Sequence, residues 1–200
     1  MGSAEHLMTS TGTYQLEVAE VIEETHDSRS LVLRVPVGLE PRFRYKAGQF
    51  LSFRAQVAGK LLTRCYSMSS SPDCDEWPKV TIKRVEGGRV SNWFNDQVRV
   101  GDCLDVLPPA GHFHLRAGEH DLLLFGGGSG ITPVFSILKS ALRTSNRRIK
   151  LIYANRDEAS VIFRDELRAA VERIGVVRRA AMAQIEGDGR RTISRIMRRR

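Results

Sequence analysis

The stretch from Asp121 to Gly130 constrains the fold more than any other. Leu122-Leu123-Leu124-Phe125 is a continuous apolar run of the kind found in a strand buried on both faces, and Gly126-Gly127-Gly128-Ser129-Gly130 follows at once. Beyond the glycines, Val134, Ile137, Leu138, Ala141 and Leu142 recur at helical spacing, with Thr132 as the expected cap and Pro133 at the first helical position. Strand, glycine turn and apolar helix put backbone N–H groups and a positive dipole end where a pyrophosphate can lie. The third glycine of G-x-G-x-x-G is replaced by Ile131, so the motif alone is weak and its context carries the reading. A second strand over Lys150–Ala154 precedes a helix with Phe163, Leu167, Ala170, Val171 and Ile174 on one stripe, stopped by Gly175. These elements predict the first half of a parallel, doubly wound sheet, and after Val177 no further buried strand is expected.

The first half of the chain has a different period. Short alternating runs over Leu16–Val21, Leu31–Val35, Phe50–Phe53, Leu61–Tyr66, Val80–Val85, Cys103–Val106 and His112–Leu115 are separated by turn residues, which predicts an antiparallel barrel. One short helix is expected, capped by Ser91, with Phe94 and Val98 on one face. Gly87-Gly88-Arg89-Val90-Ser91 thus offers a second phosphate site, glycines leading into a helix start. In Arg64-Cys65-Tyr66-Ser67, the arginine can pair with a phosphate, the tyrosine offers a flat face to a ring, and the serine can hydrogen-bond a polar ring edge. The fold class expected is β barrel plus α/β: a barrel over 12–116, an incomplete doubly wound domain over 117–175, and an atypical Arg-rich tail over 176–200.

Apolar residues make up 42% of the chain and charged ones 27%, a globular composition. The net charge of +8 is unevenly spread: residues 1–172 hold 22 basic and 21 acidic side chains, residues 173–200 nine arginines and two acids. A neutral body with a basic tail argues against a nucleic-acid-binding face, and no aromatic residue interleaves the terminal arginines. Cys65, Cys74 and Cys103 form no C-x-x-C pair, which points away from a disulfide scaffold or zinc ribbon and towards a reducing, cytoplasmic setting. No apolar run has the roughly 18 to 20 residues of a membrane span, and Met1–Ser10 lacks the pattern of a signal peptide. His112 and His114 share a face of their expected strand but have no carboxylate or thiol at ligand spacing, so no metal site is expected.

Arg64-Cys65-Tyr66-Ser67 is preceded by Tyr45-Lys46-Ala47-Gly48-Gln49-Phe50. It is followed in order by Gly88-Arg89-Val90-Ser91, Pro109-Ala110-Gly111-His112-Phe113, Gly126 to Pro133 and Tyr153-Ala154-Asn155-Arg156. Together, over about residues 12–174, these segments resemble the ferredoxin-NADP reductase superfamily, and within it the flavin/NAD(P) reductase components of oxygenases of the 3-ketosteroid 9α-hydroxylase and phenylacetyl-CoA epoxidase types. The resemblance implies an FAD-dependent NAD(P)H oxidoreductase passing electrons towards an iron–sulfur acceptor or terminal oxygenase. Carried over by position, Arg64 would bind the FAD pyrophosphate, Tyr66 would stack on the isoalloxazine, and Ser67, the catalytic candidate, would hydrogen-bond near flavin N5. Lys83 to Val85 would border the ring, and Gly88, Val90 and Ser91 would hold phosphates. Gly127, Gly128, Ser129, Gly130 and Thr132 would bind the nicotinamide cofactor, with Asn155 and Arg156 near its adenine ribose. Arg156 would favour a 2′-phosphate and Asp157 a free 2′-hydroxyl, leaving NADH and NADPH both open, with NADH preferred from the nearest relatives.

Two departures stand out. The family's late Cys-Gly-x-Pro segment is absent, and so is the C-x₄-C-x₂-C framework, since no cysteine follows Cys103; no [2Fe–2S] cluster is expected in this chain although full-length relatives carry one. The expectation is therefore a reductase ending midway through its second domain, with a truncated or frame-shifted terminus and slow reduction of its flavin by NAD(P)H. The rival readings are a flavoprotein that binds FAD without efficient turnover and, further off, a nucleic-acid-binding module with a basic tail.

Overall fold

The computed structural model describes residues 8–9, 12–173 and 182–185. Six antiparallel strands come first: β1 (Tyr14–Thr25), β2 (Ser28–Arg34), β3 (Phe50–Val57), β4 (Lys60–Ser67), β5 (Lys79–Lys83) and β6 (Cys103–Ala110), in the order β4-β3-β6-β1-β2-β5. The sheet curls until its outer strands approach, and the bridge between Met68 and Val80 joins them. Alternation drives the curl: Leu16 and Val18, Leu51, Phe53 and Ala55, Val80 and Ile82, and Leu104 and Val106 all turn inward and are buried. Helix α1 (Arg89–Gln97) adds Val90 and Phe94 to this core.

The second unit is a parallel sheet, β7 (Leu122–Gly127), β8 (Ile149–Ala154) and β9 (Met182–Ile185), with α2 (Ile131–Thr144) between the first two strands and α3 (Arg164–Arg173) after the second. In register, Leu124 lies opposite Leu151, and Leu151 opposite Met182. Ile131, Phe135 and Leu138 pack with Leu151, Ile162 and Leu167 into a second core, where the Phe135 and Phe163 rings stack at 4.4 Å.

Several expectations are corrected. A third strand, β9, follows where none was expected, because Met182-Ala-Gln-Ile is too short and mixed to read as a buried run among arginines. His112–Leu115 forms no strand; β6 ends at Ala110, and Gly111 at φ +114° turns the chain towards the second unit. The two histidines therefore share no strand face. Ser91 and Thr132 are not caps: α1 is entered through Gly88 and α2 through Gly130, with both side chains inside the first turn. Leu122 and Leu124 pack on the core but Leu123 is 46% exposed, so burial of β7 holds for one face only. The stop at Gly175, the place of Ile174, the Val171 side chain and most of the arginine tail lie outside the described residues.

The two units join through hydroxyls. Gly48 N donates to Ser136 Oγ at 3.2 Å, and Ser136 Oγ in turn donates to the Ser70 carbonyl. One turn further along α2, Ser140 Oγ meets Ser71 Oγ at 2.7 Å. Ion pairs flank this row, Lys139 to Asp75 at 2.6 Å and Lys79 to Glu166 at 3.3 Å. Gly48 permits the approach: its φ is +101°, and a Cβ there would stand 2.6 Å from the Phe113 carbonyl and 3.0 Å from Ile137. Ser136→Ala leaves a buried amide and a buried carbonyl short of a partner, a cost of about 2 kcal/mol. The urea midpoint should fall accordingly; an unchanged midpoint would show that the junction contributes nothing.

Candidate cofactor and nucleotide site

The first cradle is the loop from β5 into α1. Gly87 takes φ +67°, Gly88 N donates to the Val85 carbonyl at 2.8 Å, and Val85 N donates to Ser91 Oγ at 3.3 Å. A Cβ on Gly88 would stand 2.6 Å from Ser91 Oγ and 2.9 Å from the Val85 carbonyl, so the turn closes only around glycine. No side chain caps α1, and the amides of its first turn have no carbonyl of their own one turn back. Val90 sends its side chain into the core, leaving its amide as the group it can offer a phosphate.

Beside α1 runs β4. Tyr66 is half buried, its ring edge-on to Phe94 at 5.4 Å and tilted to Phe53 at 5.9 Å, and Trp93 packs on Phe94 at 5.1 Å. This cluster holds the Tyr66 ring in a set attitude, and burial pushes its phenol up to about 12, with Arg64 pulling the other way. Arg64 is exposed and donates to the Thr63 carbonyl at 2.7 Å. Ser67 is half buried opposite Phe50.

The second cradle is the glycine turn. Gly126 sits against Ile131 and Tyr153, where a Cβ would come within 2.9 and 3.3 Å, while Gly127, Ser129 and Gly130 are exposed. Gly128 takes φ +48° at the start of a 3₁₀ turn running into α2, again with no side-chain cap. Thr132 Oγ1 donates to the Ser129 carbonyl at 3.1 Å and so braces the turn. Tyr153 does more. Its buried hydroxyl donates to the Gly128 carbonyl at 3.1 Å and accepts from Ile162 N at 3.3 Å, and burial pushes that phenol, too, up to about 12. Reading the sequence assigned Tyr153 no role; an aromatic in an apolar strand looks like core.

Just beyond β8, Asn155 is 7% exposed, and its amide lies beside the Tyr153 hydroxyl, where it opposes the effect of burial on that phenol. Arg156 beyond it is largely exposed and pairs with Asp27 at 3.7 Å. Asp157 accepts from Ser160 N and Oγ at 2.8 and 2.7 Å, which holds its carboxyl below the usual range and commits it to the turn before α3. Lys83 Nζ reaches the same Asp27 at 3.3 Å, and Val85 is exposed beside it. The structure therefore brings the ends of β5 and β8 together through Asp27, a residue with no motif to mark it. The glycine turn also approaches β5, with Cα atoms within 8 Å. Both cradles thus lie beside the same strand.

Comparison with known proteins fits this layout. The model of the family described as "Oxidoreductase FAD-binding domain" matches residues 15–115, and that of "Oxidoreductase NAD-binding domain" residues 124–195. The ferredoxin reductase component of 3-ketosteroid-9-alpha-monooxygenase from Rhodococcus rhodochrous is 53% identical over 160 residues, covering 79% of this chain and 45% of that protein. The chain thus spans less than half the length of that relative. Among solved structures, the flavohem-like FAD/NAD-binding domain of nitric oxide dioxygenase from Vibrio cholerae superposes with a TM-score of 0.77 at 23% identity, covering 87% of this chain and 74% of its own. Phthalate dioxygenase reductase, described as a modular structure for electron transfer from pyridine nucleotides to [2Fe–2S], superposes with a TM-score of 0.74 at 25% identity, covering 94% and 55%.

The raised phenols carry a pH dependence. Tyr66 and Tyr153 ionise at their ordinary values near 10 in the unfolded chain and about 12 in the fold, so the stability they contribute is intact below pH 10 and lost as pH climbs through 12. The thermal midpoint should drop across that window, and drop less in Tyr66→Phe. An equal drop in the variant would contradict the assignment.

Proposed function

We propose, since the chain belongs to the oxidoreductase FAD-binding domain family, that it is the flavin and nicotinamide module of an oxygenase reductase, taking hydride from NAD(P)H and sending electrons on to an iron–sulfur acceptor or terminal oxygenase. One observation carries the reading: two glycine-opened helix starts, neither capped by a side chain, lie beside a common strand, β5. Each suits a pyrophosphate, and two pyrophosphates so disposed suit two dinucleotides brought head to head.

The residues fit FAD. The Gly88 turn closes only without a Cβ, the first amides of α1 are open, and Tyr66 presents a ring braced from behind by Phe53 and Phe94. Bound FAD supplies a ring that accepts hydride at N5 and releases electrons singly. In this proposal Arg64 neutralises the pyrophosphate, helped by the amides at Val90 and Ser91, with Gly88 shaping the turn that lets the phosphate approach, while Tyr66 lies against the ring and Ser67 donates a hydrogen bond at its reactive edge. Lys83 and Val85 border the ring. Gly127, Gly128, Ser129, Gly130 and Thr132 seat the nicotinamide dinucleotide, and the buried Asn155 amide and Arg156 meet its adenosine half. The division at residues 12–116 and 117–175 belongs to the same proposal. So does a cytoplasmic setting, which suits the exposed, free Cys65, Cys74 and Cys103; among the described residues no helix is long and apolar enough to cross a membrane.

Reconstitution tests the cofactor. Protein incubated with FAD and desalted should retain one flavin per chain, and Arg64→Ala should weaken FAD by about 1.5–3 kcal/mol, the range for a hydrogen bond to a charged group. Failure of the parent chain to retain flavin would defeat the reading; an unchanged affinity in the variant would remove Arg64 from the site.

A further inference from the structure

The tip of the β1–β2 hairpin reaches the far end of β8, where its aspartate meets an arginine. Resting on the nicotinamide reading above, we propose that Asp27 sets the choice between NADH and NADPH by engaging Arg156 against a 2′-phosphate.

Asp27 is built into its position. Its Oδ1 accepts from Thr25 Oγ1 at 2.8 Å and Ser28 Oγ at 3.2 Å, and its carbonyl accepts from Arg84 N at 2.8 Å. The hairpin therefore fixes the carboxylate, and Oδ2 is turned to three basic groups, Lys83 Nζ at 3.3 Å, Arg156 Nη2 at 3.7 Å and the neighbouring His26 Nε2 at 3.8 Å. The Asp27 side chain is only 15% exposed, the Arg156 side chain 74%. A largely buried anion thus faces an exposed cation at the rim.

Arg156 stands two residues beyond β8, the strand next to the one that ends in the glycine turn. In sheets of this kind the end of that strand meets the adenine ribose, and an arginine there accommodates a 2′-phosphate whereas a carboxylate suits a free 2′-hydroxyl. Asp157, the adjacent carboxylate, is taken up by Ser160. Asp27 supplies the missing acid from another element. A 2′-phosphate must displace Asp27 from Arg156 and then lie beside that fixed negative charge, whereas NADH meets neither cost. This is selection by repulsion, made by a residue of the barrel.

The test is calorimetric titration of FAD-loaded protein with 5′-AMP and with 2′,5′-ADP, which differ by the 2′-phosphate alone. Asp27→Asn keeps the acceptor for Thr25 and Ser28 and removes the charge. It should tighten 2′,5′-ADP about fivefold while leaving 5′-AMP within about twofold. Arg156→Gln should abolish the gain in Asp27→Asn, and should cost the parent chain less of its 2′,5′-ADP affinity than it costs Asp27→Asn, because Asp27 competes for the guanidinium. The inference is overturned if Asp27→Asn leaves the ratio of the two affinities unchanged, if the gain survives without Arg156, or if Arg156→Gln alone weakens 2′,5′-ADP as much as it does beside Asp27→Asn. Each of these results retains 5′-AMP binding and so spares the nicotinamide reading. Loss of 5′-AMP binding in the parent chain itself would bring both down.

Discussion

The Ser136 hydroxyl stands between two backbone groups of the barrel, accepting from Gly48 and donating to Ser70, and so helps set where the second cradle stands relative to the first. Ser70 is itself fixed, since its hydroxyl accepts from Tyr45 Oη at 2.7 Å and from Lys79 N at 2.8 Å, which ties the junction to the start of β5. Ser136 lies in the second turn of α2, and the helix begins at the glycine turn. A helix pinned there cannot swing its first turn away from β5. The contact that joins the two units therefore also sets how a phosphate on one helix start stands relative to a ring on the other. Because the junction is made of buried hydroxyls and amides, its strength comes less from the bonds gained than from the penalty for leaving any one unmade.

Around that fixed frame the two cradles use the same device with different bracing. At Gly88 the backbone closes on itself, with Val85 and Ser91 as the clasp. At Gly126–Gly130 the clasp is a side chain from elsewhere, the Tyr153 phenol, which links the turn to the segment before α3. Arg64 and Arg156 carry positive charge at the exposed rim, and Asp27, itself largely buried, reaches both Arg156 and the largely buried Lys83.

Much of this was legible in sequence because period and punctuation are local. Leu16, Val18, Leu51 and Phe53 alternate, so their strands were visible; Val134, Leu138 and Ala141 repeat at helical spacing, so α2 was too. The glycine turns were visible as turns, though the capping roles given to Ser91 and Thr132 fell instead to Gly88 and Gly130. What stayed hidden depends on contacts remote in sequence. Asp27 lies 129 positions from Arg156 and reads as an ordinary hairpin residue. Ser136 and Ser140 look like polar interruptions of an apolar helix face until the barrel supplies Gly48 and Ser71. The strand β9 was hidden for another reason, since four residues of mixed polarity become a strand only when β8 is there to pair with them.

The central claim is that the two helix starts beside β5 hold a flavin against a nicotinamide. Anaerobic rapid mixing of FAD-loaded protein with NADH deuterated at C4 tests it most directly. The account predicts bleaching of the flavin band that slows with deuterium on one face of the nicotinamide and not on the other, as direct transfer between rings held in a fixed pose requires. A flavin that dithionite bleaches but that neither NADH nor NADPH reduces would contradict it.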